Sequence, residues 1–115
     1  MPNVLVADDS PIVRAFLEDK LVAAGATVAL ASCARDAKLV DTSTIDVALL
    51  DLDLGDGSGL EVAAALRARN PALRVAFFSA GCDAGERGRA ATVGPVFPKP
   101  DGVDDAVAWV TRPSS

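Results

Sequence analysis

Asp46-Val47-Ala48-Leu49-Leu50-Asp51 is the stretch that decides the reading of this chain. A short run that is apolar throughout reads as a strand buried on both faces of a sheet. Its last residue, Asp51, then emerges at the rim of that sheet. A carboxylate placed there is costly unless it is paired, hydrogen-bonded or bound to a metal. Three other apolar runs end in polar side chains. Val4-Leu5-Val6-Ala7 runs into Asp8-Asp9, Val75-Ala76-Phe77-Phe78 into Ser79, and Val96-Phe97-Pro98 into Lys99.

The segments between these runs read as helices. Ser10-Pro11 supplies an N-cap and a proline at the first helical position. Val13, Phe16, Leu17, Leu21 and Ala24 then follow helical spacing and are expected to form its core face. Gly25 is a natural stop. Thr27–Leu30 reads as a second strand, with Ser32 capping a second helix through Val40. The third strand is expected over 46–51. Gly55–Gly59 reads as a flexible loop, and Leu60–Arg69 as a third helix ended by Asn70-Pro71. The fourth strand is expected over 73–78. Segment 81–93 is the weakest helix, because Gly81, Gly85 and Gly88 each cost about 1 kcal/mol against alanine. A short fifth strand at Val96–Pro98 and a closing helix through Val103, Ala106, Val107 and Val110 complete the chain. Trp109 lies off the centre of that last stripe. The tail Arg112–Ser115 reads as loose.

Strand and helix therefore alternate about five times. That pattern predicts an α/β fold, a doubly wound parallel sheet covered on both faces. In such sheets ligands bind outside the carboxyl ends of the strands. Asp9, Asp51, Ser79 and Lys99 all fall at those ends.

Composition narrows the functional classes. The chain has 115 residues, half of them hydrophobic, which fits a single domain over 1–115. No apolar run is long enough to span a bilayer and no signal peptide opens the chain, so a cytoplasmic protein is expected. The net charge of -5, without a Lys/Arg cluster, argues against nucleic-acid binding. The absence of histidine removes Ser-His-Asp and Cys-His catalysis and imidazole zinc sites. Any phosphohistidine must come from another protein. Cys33 and Cys82 read as ordinary small residues.

The chemistry follows from the strand ends. If the first and third strands are neighbours, about 4.8 Å apart, the carboxylates of Asp8, Asp9 and Asp51 converge. Like charges this close need a cation, and hard oxygen ligands suit Mg²⁺, with Mn²⁺ as the alternative. Lys99 can pair with Asp51 or with a phosphate, and Ser79 can donate a hydroxyl hydrogen bond. The set describes phosphoryl transfer to a carboxylate: Asp51 attacks in line, while Lys99 and Ser79 steady the equatorial oxygens.

At this point the residues resemble the receiver domains of bacterial two-component response regulators, over essentially the whole chain. The resemblance rests on Val-Leu-Val-Ala-Asp8-Asp9-Ser-Pro, on Leu-Leu-Asp51-Leu-Asp53-Leu-Gly-Asp-Gly-Ser-Gly59-Leu-Glu, on Phe-Ser79-Ala80 and on Lys99-Pro100, in that order and at those spacings. It implies a five-stranded, flavodoxin-like sheet in the order 2-1-3-4-5. It implies a phosphorylation-dependent signalling switch, not an enzyme in its own right. Asp51 would take a phosphoryl group from a sensor histidine kinase or a histidine phosphotransfer protein. Asp8, Asp9, Asp51 and the backbone carbonyl of Asp53 would hold Mg²⁺, and output would pass to a downstream protein. It also implies a cis Lys99-Pro100 peptide, tuning of phosphoaspartate hydrolysis at Asp53 and Gly81, and kinase contacts on the first helix near Ile12. In that strand order a Cys33–Cys82 disulfide is geometrically disfavoured.

The chain departs from the family pattern at Ser58, at Gly55 and, with more consequence, at Val96. There, three residues before Lys99, many receivers carry an aromatic ring that swings inward on activation. Val96 and the weak 81–93 segment lead to the expectation that this chain does not use the usual aromatic switch. Two other readings compete. Asp51-Leu-Asp53 matches the core of haloacid-dehalogenase-like phosphatases, but there the acidic pair comes last. A degenerate receiver acting as an interaction module would not need Asp8, Asp9, Asp51, Ser79 and Lys99 intact.

Overall fold

The structure is a computed structural model that describes residues 2–81, 84–99 and 101–112. Cys82, the Lys99-Pro100 peptide and the tail beyond Arg112 lie outside the described residues, as do the expectations that fall on them. The elements run β1 (Asn3–Ala7), α1 (Pro11–Ala23), β2 (Thr27–Ala31), α2 (Ala34–Lys38), a 3₁₀ turn (Thr42–Thr44), β3 (Val47–Leu50), α3 (Gly59–Arg69), β4 (Arg74–Ser79), α4 (Ala84–Ala91), β5 (Val96–Pro98) and α5 (Val103–Thr111).

The five strands form one parallel sheet in the order β2-β1-β3-β4-β5, as expected. Its central strands are apolar on both sides because both sides are covered. Leu5, Ala7, Ala48, Leu50, Val75 and Phe77 face α2, α3 and α4. Val4, Val6, Val47, Leu49, Ala76 and Phe78 face α1 and α5. β3 ends at Leu50, so Asp51 is the first residue beyond the ladder. None of the described helices is long and apolar enough to cross a membrane.

α1 begins as its sequence dictates. Ser10 Oγ accepts the Val13 N–H at 3.3 Å and Pro11 opens the helix. Gly25, at φ +95°, turns the chain after the C-cap Ala24. Its buried stripe is narrower than the spacing implied. Val13, Leu17 and Leu21 pack inward, whereas Phe16 and Ala24 are exposed. Four-residue steps keep 13, 17 and 21 on one line, and Phe16 falls to its edge, where Lys20 Nζ lies 5.7 Å from the ring.

α2 is shorter than expected. Its N-cap is Cys33 rather than Ser32, with Sγ accepting the Asp36 N–H at 3.5 Å, and it ends at Lys38. Arg69 on α3 meets that end. Its guanidinium donates to the carbonyls of Lys38 and Val40, supplying partners to carbonyls that a helix end leaves without intrahelical bonds. α3 starts one residue early at Gly59, capped by Ser58 Oγ accepting the Glu61 N–H. The segment read as the weakest helix does form α4, a polar helix that buries Ala90.

Candidate functional site

Asp51, Asp8, Lys99 and Ser79 are placed by backbone bonds that continue the sheet. Asp51 N–H donates to Ala7 O at 2.8 Å, Asp8 N–H to Ala31 O at 3.1 Å, and Lys99 N–H to Ser79 O at 2.9 Å. Because β1 and β3 are neighbours, Asp8 and Asp51 leave the sheet side by side. Asp8 and Asp51 are 1% and 8% exposed, so water does little to dissipate their charge.

Asp8, Asp9 and Asp51 each offer a carboxylate oxygen within 4.8 Å of the others. Lys99 Nζ bridges two of them, donating to Asp8 Oδ2 at 2.6 Å and to Asp51 Oδ2 at 3.0 Å. Its ammonium also lies 5.6 Å from the Phe78 ring centroid. Three carboxylates against one ammonium leave two formal negative charges. That remainder, presented by hard oxygen donors, fits a divalent cation such as Mg²⁺.

Local hydrogen bonds set the remaining orientations. Asp8 Oδ1 accepts the Ser10 N–H at 2.9 Å, and Asp51 Oδ1 accepts the Asp53 N–H at 3.1 Å. Burial pushes the Asp51 carboxyl above its usual range, while the bonds from Lys99 and from Asp53 N–H act against it. Burial also disfavours the charged Lys99, but its bonds to Asp8 and Asp51 outweigh that and hold its pKa above the ordinary lysine value.

Ser79 stands at the end of β4, buried, with Oγ 3.5 Å from the Gly81 carbonyl. That is long for a hydroxyl hydrogen bond, so little holds the donor in its present rotamer. The Asp53 carboxylate turns away from the cluster and accepts the Gly55 N–H at 3.0 Å. The expectation for Asp53 concerned its carbonyl, on the same turn that holds Asp51. The loop rich in turn residues forms a hydrogen-bonded turn. Leu54 N–H donates to Gly57 O, Gly59 N–H to Leu52 O, and Asp53 bridges Ser58. Gly59 lies so close to the Asp51 carbonyl that a Cβ there would sit 2.3 Å from the oxygen. A shallow depression lined by Asp53, Gly55, Ser58, Glu61, Gly81 and Glu86 opens beside the cluster.

Two supporting residues escape a reading of sequence. Arg14 Nη1 donates to the Asp8 carbonyl at 2.7 Å, fixing the turn that carries both β1 acids. Asp56 accepts the Ala34 and Arg35 N–H groups at 2.7 and 3.0 Å, tying the β3–α3 turn to the start of α2. No spacing signals either contact, because both join elements that meet through the fold. Ile12 is exposed on the first turns of α1.

Among known proteins, residues 4–100 match the response regulator receiver domain family. The alginate biosynthesis transcriptional regulatory protein AlgB of Pseudomonas aeruginosa is 41% identical over 81 residues, which are 67% of this chain and 17% of AlgB. A protein-glutamate methylesterase/protein-glutamine glutaminase of Caulobacter vibrioides is 41% identical over 76 residues, 64% of this chain and 22% of that protein. The chain thus spans about a fifth of the length of these relatives. The non-phosphorylated HemR receiver domain from Leptospira biflexa superposes with a TM-score of 0.85 at 26% identity, covering 100% of both chains.

Proposed function

We propose, from the premise that this chain belongs to the response regulator receiver domain family of two-component systems, that it is a phosphorylation-dependent switch with Asp51 as phosphoacceptor. The observation that carries the proposal is the Lys99 ammonium bridging Asp8 and Asp51 inside a cluster of three carboxylates.

The residues divide the work as follows. An Asp51 oxygen attacks the phosphorus of a phosphohistidine on a sensor kinase or a histidine phosphotransfer protein. The new O–P bond forms as the donor P–N bond breaks, and its electron pair leaves on the imidazole nitrogen, which takes a proton from solvent. Asp53 N–H, bonded to Oδ1, leaves Oδ2 as the attacking oxygen once Lys99 turns from it to the phosphoryl group. Lys99 Nζ and Ser79 Oγ donate to the equatorial oxygens, where charge is highest. Ser79 can do so because its present bond to Gly81 O is weak. Asp8, Asp9, Asp51 and the Asp53 carbonyl would hold Mg²⁺, with Mn²⁺ as a substitute. When bound, the ion supplies the positive charge that lets an anionic phosphoryl group approach three carboxylates. A downstream protein would read the phosphorylated form.

Incubation with Mg²⁺ and acetyl phosphate, followed by intact mass, tests this reading. The wild type gains one acid-stable, base-labile phosphoryl group, and Asp51→Asn gains none. Unchanged mass in the wild type, or equal gain in Asp51→Asn, refutes the proposal. Rapid turnover of small phosphate esters would replace it with a phosphatase.

A further inference from the structure

We propose that the state of Asp51 is carried to the C-terminal end of α5 through the rings of Phe78, Phe97 and Trp109, with Lys99 as the input. The inference rests on Asp51 being the phosphoacceptor.

The input is the double role of Lys99. Its ammonium is held by Asp8 and Asp51 and faces the Phe78 ring at 5.6 Å. A phosphoryl group on Asp51 gives that ammonium new oxygens to bind and so shifts it relative to the ring face that attracts it. Phe78 is buried on the α1/α5 side of the sheet. Directly across the β4–β5 ladder it pairs with Phe97. The Phe97 ring meets Trp109 of α5 with centroids 6.5 Å apart and planes tilted by 55°. Trp109 in turn stacks on Arg74, whose guanidinium carbon is 4.2 Å from the ring centroid. Arg74 donates to the carbonyls of Trp109 and Arg112 at 2.7 and 2.9 Å. The rings therefore end on the group that closes the last turn of α5. Close-packed side chains pass a displacement on rather than absorb it.

On the opposite face, the one ring among the described residues is Phe77, which pairs across the ladder with Val96. Val96 packs there against the cluster that contains Phe77 and Ala90. A β-branched valine has little rotamer freedom and no ring to swing. α4 beside it is short and polar. The path through Phe97 is thus where this chain keeps the aromatic mass that Val96 does not supply.

Trp109 is the single tryptophan, so its emission reports this path without labelling. Fluorescence and intact mass are followed together during phosphorylation by acetyl phosphate and Mg²⁺. The expected result is an emission change that tracks the mass gain, is absent in Asp51→Asn, and falls by more than half in Phe97→Leu at equal phosphorylation. Val96→Ala should retain it. Because Phe97→Leu could fold poorly, hydrogen exchange in the wild type is a second readout. Amides of the last turn of α5 should change rate by about threefold or more on phosphorylation. A phosphorylated wild type with unchanged emission and unchanged exchange overturns the path while leaving Asp51 as phosphoacceptor. A full emission change in folded Phe97→Leu overturns it as well. No mass gain in the wild type removes the phosphoacceptor reading and this one with it.

Discussion

Gly59→Ala is a one-carbon change whose consequence can be worked out from the contact between α3 and the end of β3. A Cβ at Gly59 would lie 2.3 Å from the Asp51 carbonyl oxygen, 3.1 Å from its carbon and 3.3 Å from Leu52 Cα. Real Cβ contacts essentially never fall below 3.0 Å, so the helix start and the Asp51 backbone must part by at least 0.7 Å, the difference between 3.0 and 2.3 Å. The clash is with backbone, so no rotamer change relieves it. The turn cannot simply drift away, because Gly59 N–H is bonded to Leu52 O and Leu54 N–H to Gly57 O. Overpacking of this kind costs about 1–3 kcal/mol. The displacement falls on the proposed phosphoacceptor, and a misplacement near 1 Å can lower a rate by up to about 10²-fold. Urea denaturation and the initial rate of phosphorylation by acetyl phosphate measure the two effects. Gly88→Ala is the control, since a Cβ there meets nothing within 4 Å in the middle of α4. It should stabilise by about 0.5–1 kcal/mol and leave the rate alone. If Gly59→Ala matches the wild type in both stability and rate, the coupling between the α3 start and Asp51 is wrong.

Two further outcomes are expected. The Ala34 and Arg35 N–H groups hold the Asp56 carboxyl below its ordinary value of 3.8, so its contribution to stability is present above that pH and lost as pH falls through the lower folded value. In thermal melts the gap between wild type and Asp56→Asn should be constant near neutrality and close in acid; a gap independent of pH would contradict this. Mg²⁺ should raise the unfolding free energy measured by urea denaturation at constant ionic strength, by about 1.4 kcal/mol at ten times its dissociation constant. Asp9→Asn removes an exposed carboxylate from the cluster and should lose most of that gain. An equal gain in both proteins would take Asp9 out of the proposed metal site.

Much of the site was legible because strand ends are legible. Apolar runs that stop at Asp8, Asp51, Ser79 and Lys99 put four candidate side chains on one rim once the sheet is parallel. Boundaries were less legible where another element satisfies the backbone. α2 stops at Lys38, where Arg69 of α3 takes the Lys38 and Val40 carbonyls, and Cys33 rather than Ser32 starts it. Phe16 followed the helical period yet lies outside, since periodicity gives a direction but not the width of the buried stripe.

The sequence by itself determined the alternation of strand and helix, because hydrophobic spacing and caps act within a few residues. It also determined which residue types stand at the strand ends. The contacts between elements came from the fold, which turned the expected Lys99–Asp51 pairing into a bridge to both acids. Lys99 reaching both Asp8 and Asp51, Arg14 on the Asp8 carbonyl, and Phe97 facing Trp109 rather than α4 all join residues from different elements. Such contacts depend on strand order and on the face each side chain takes, and local physics does not encode either.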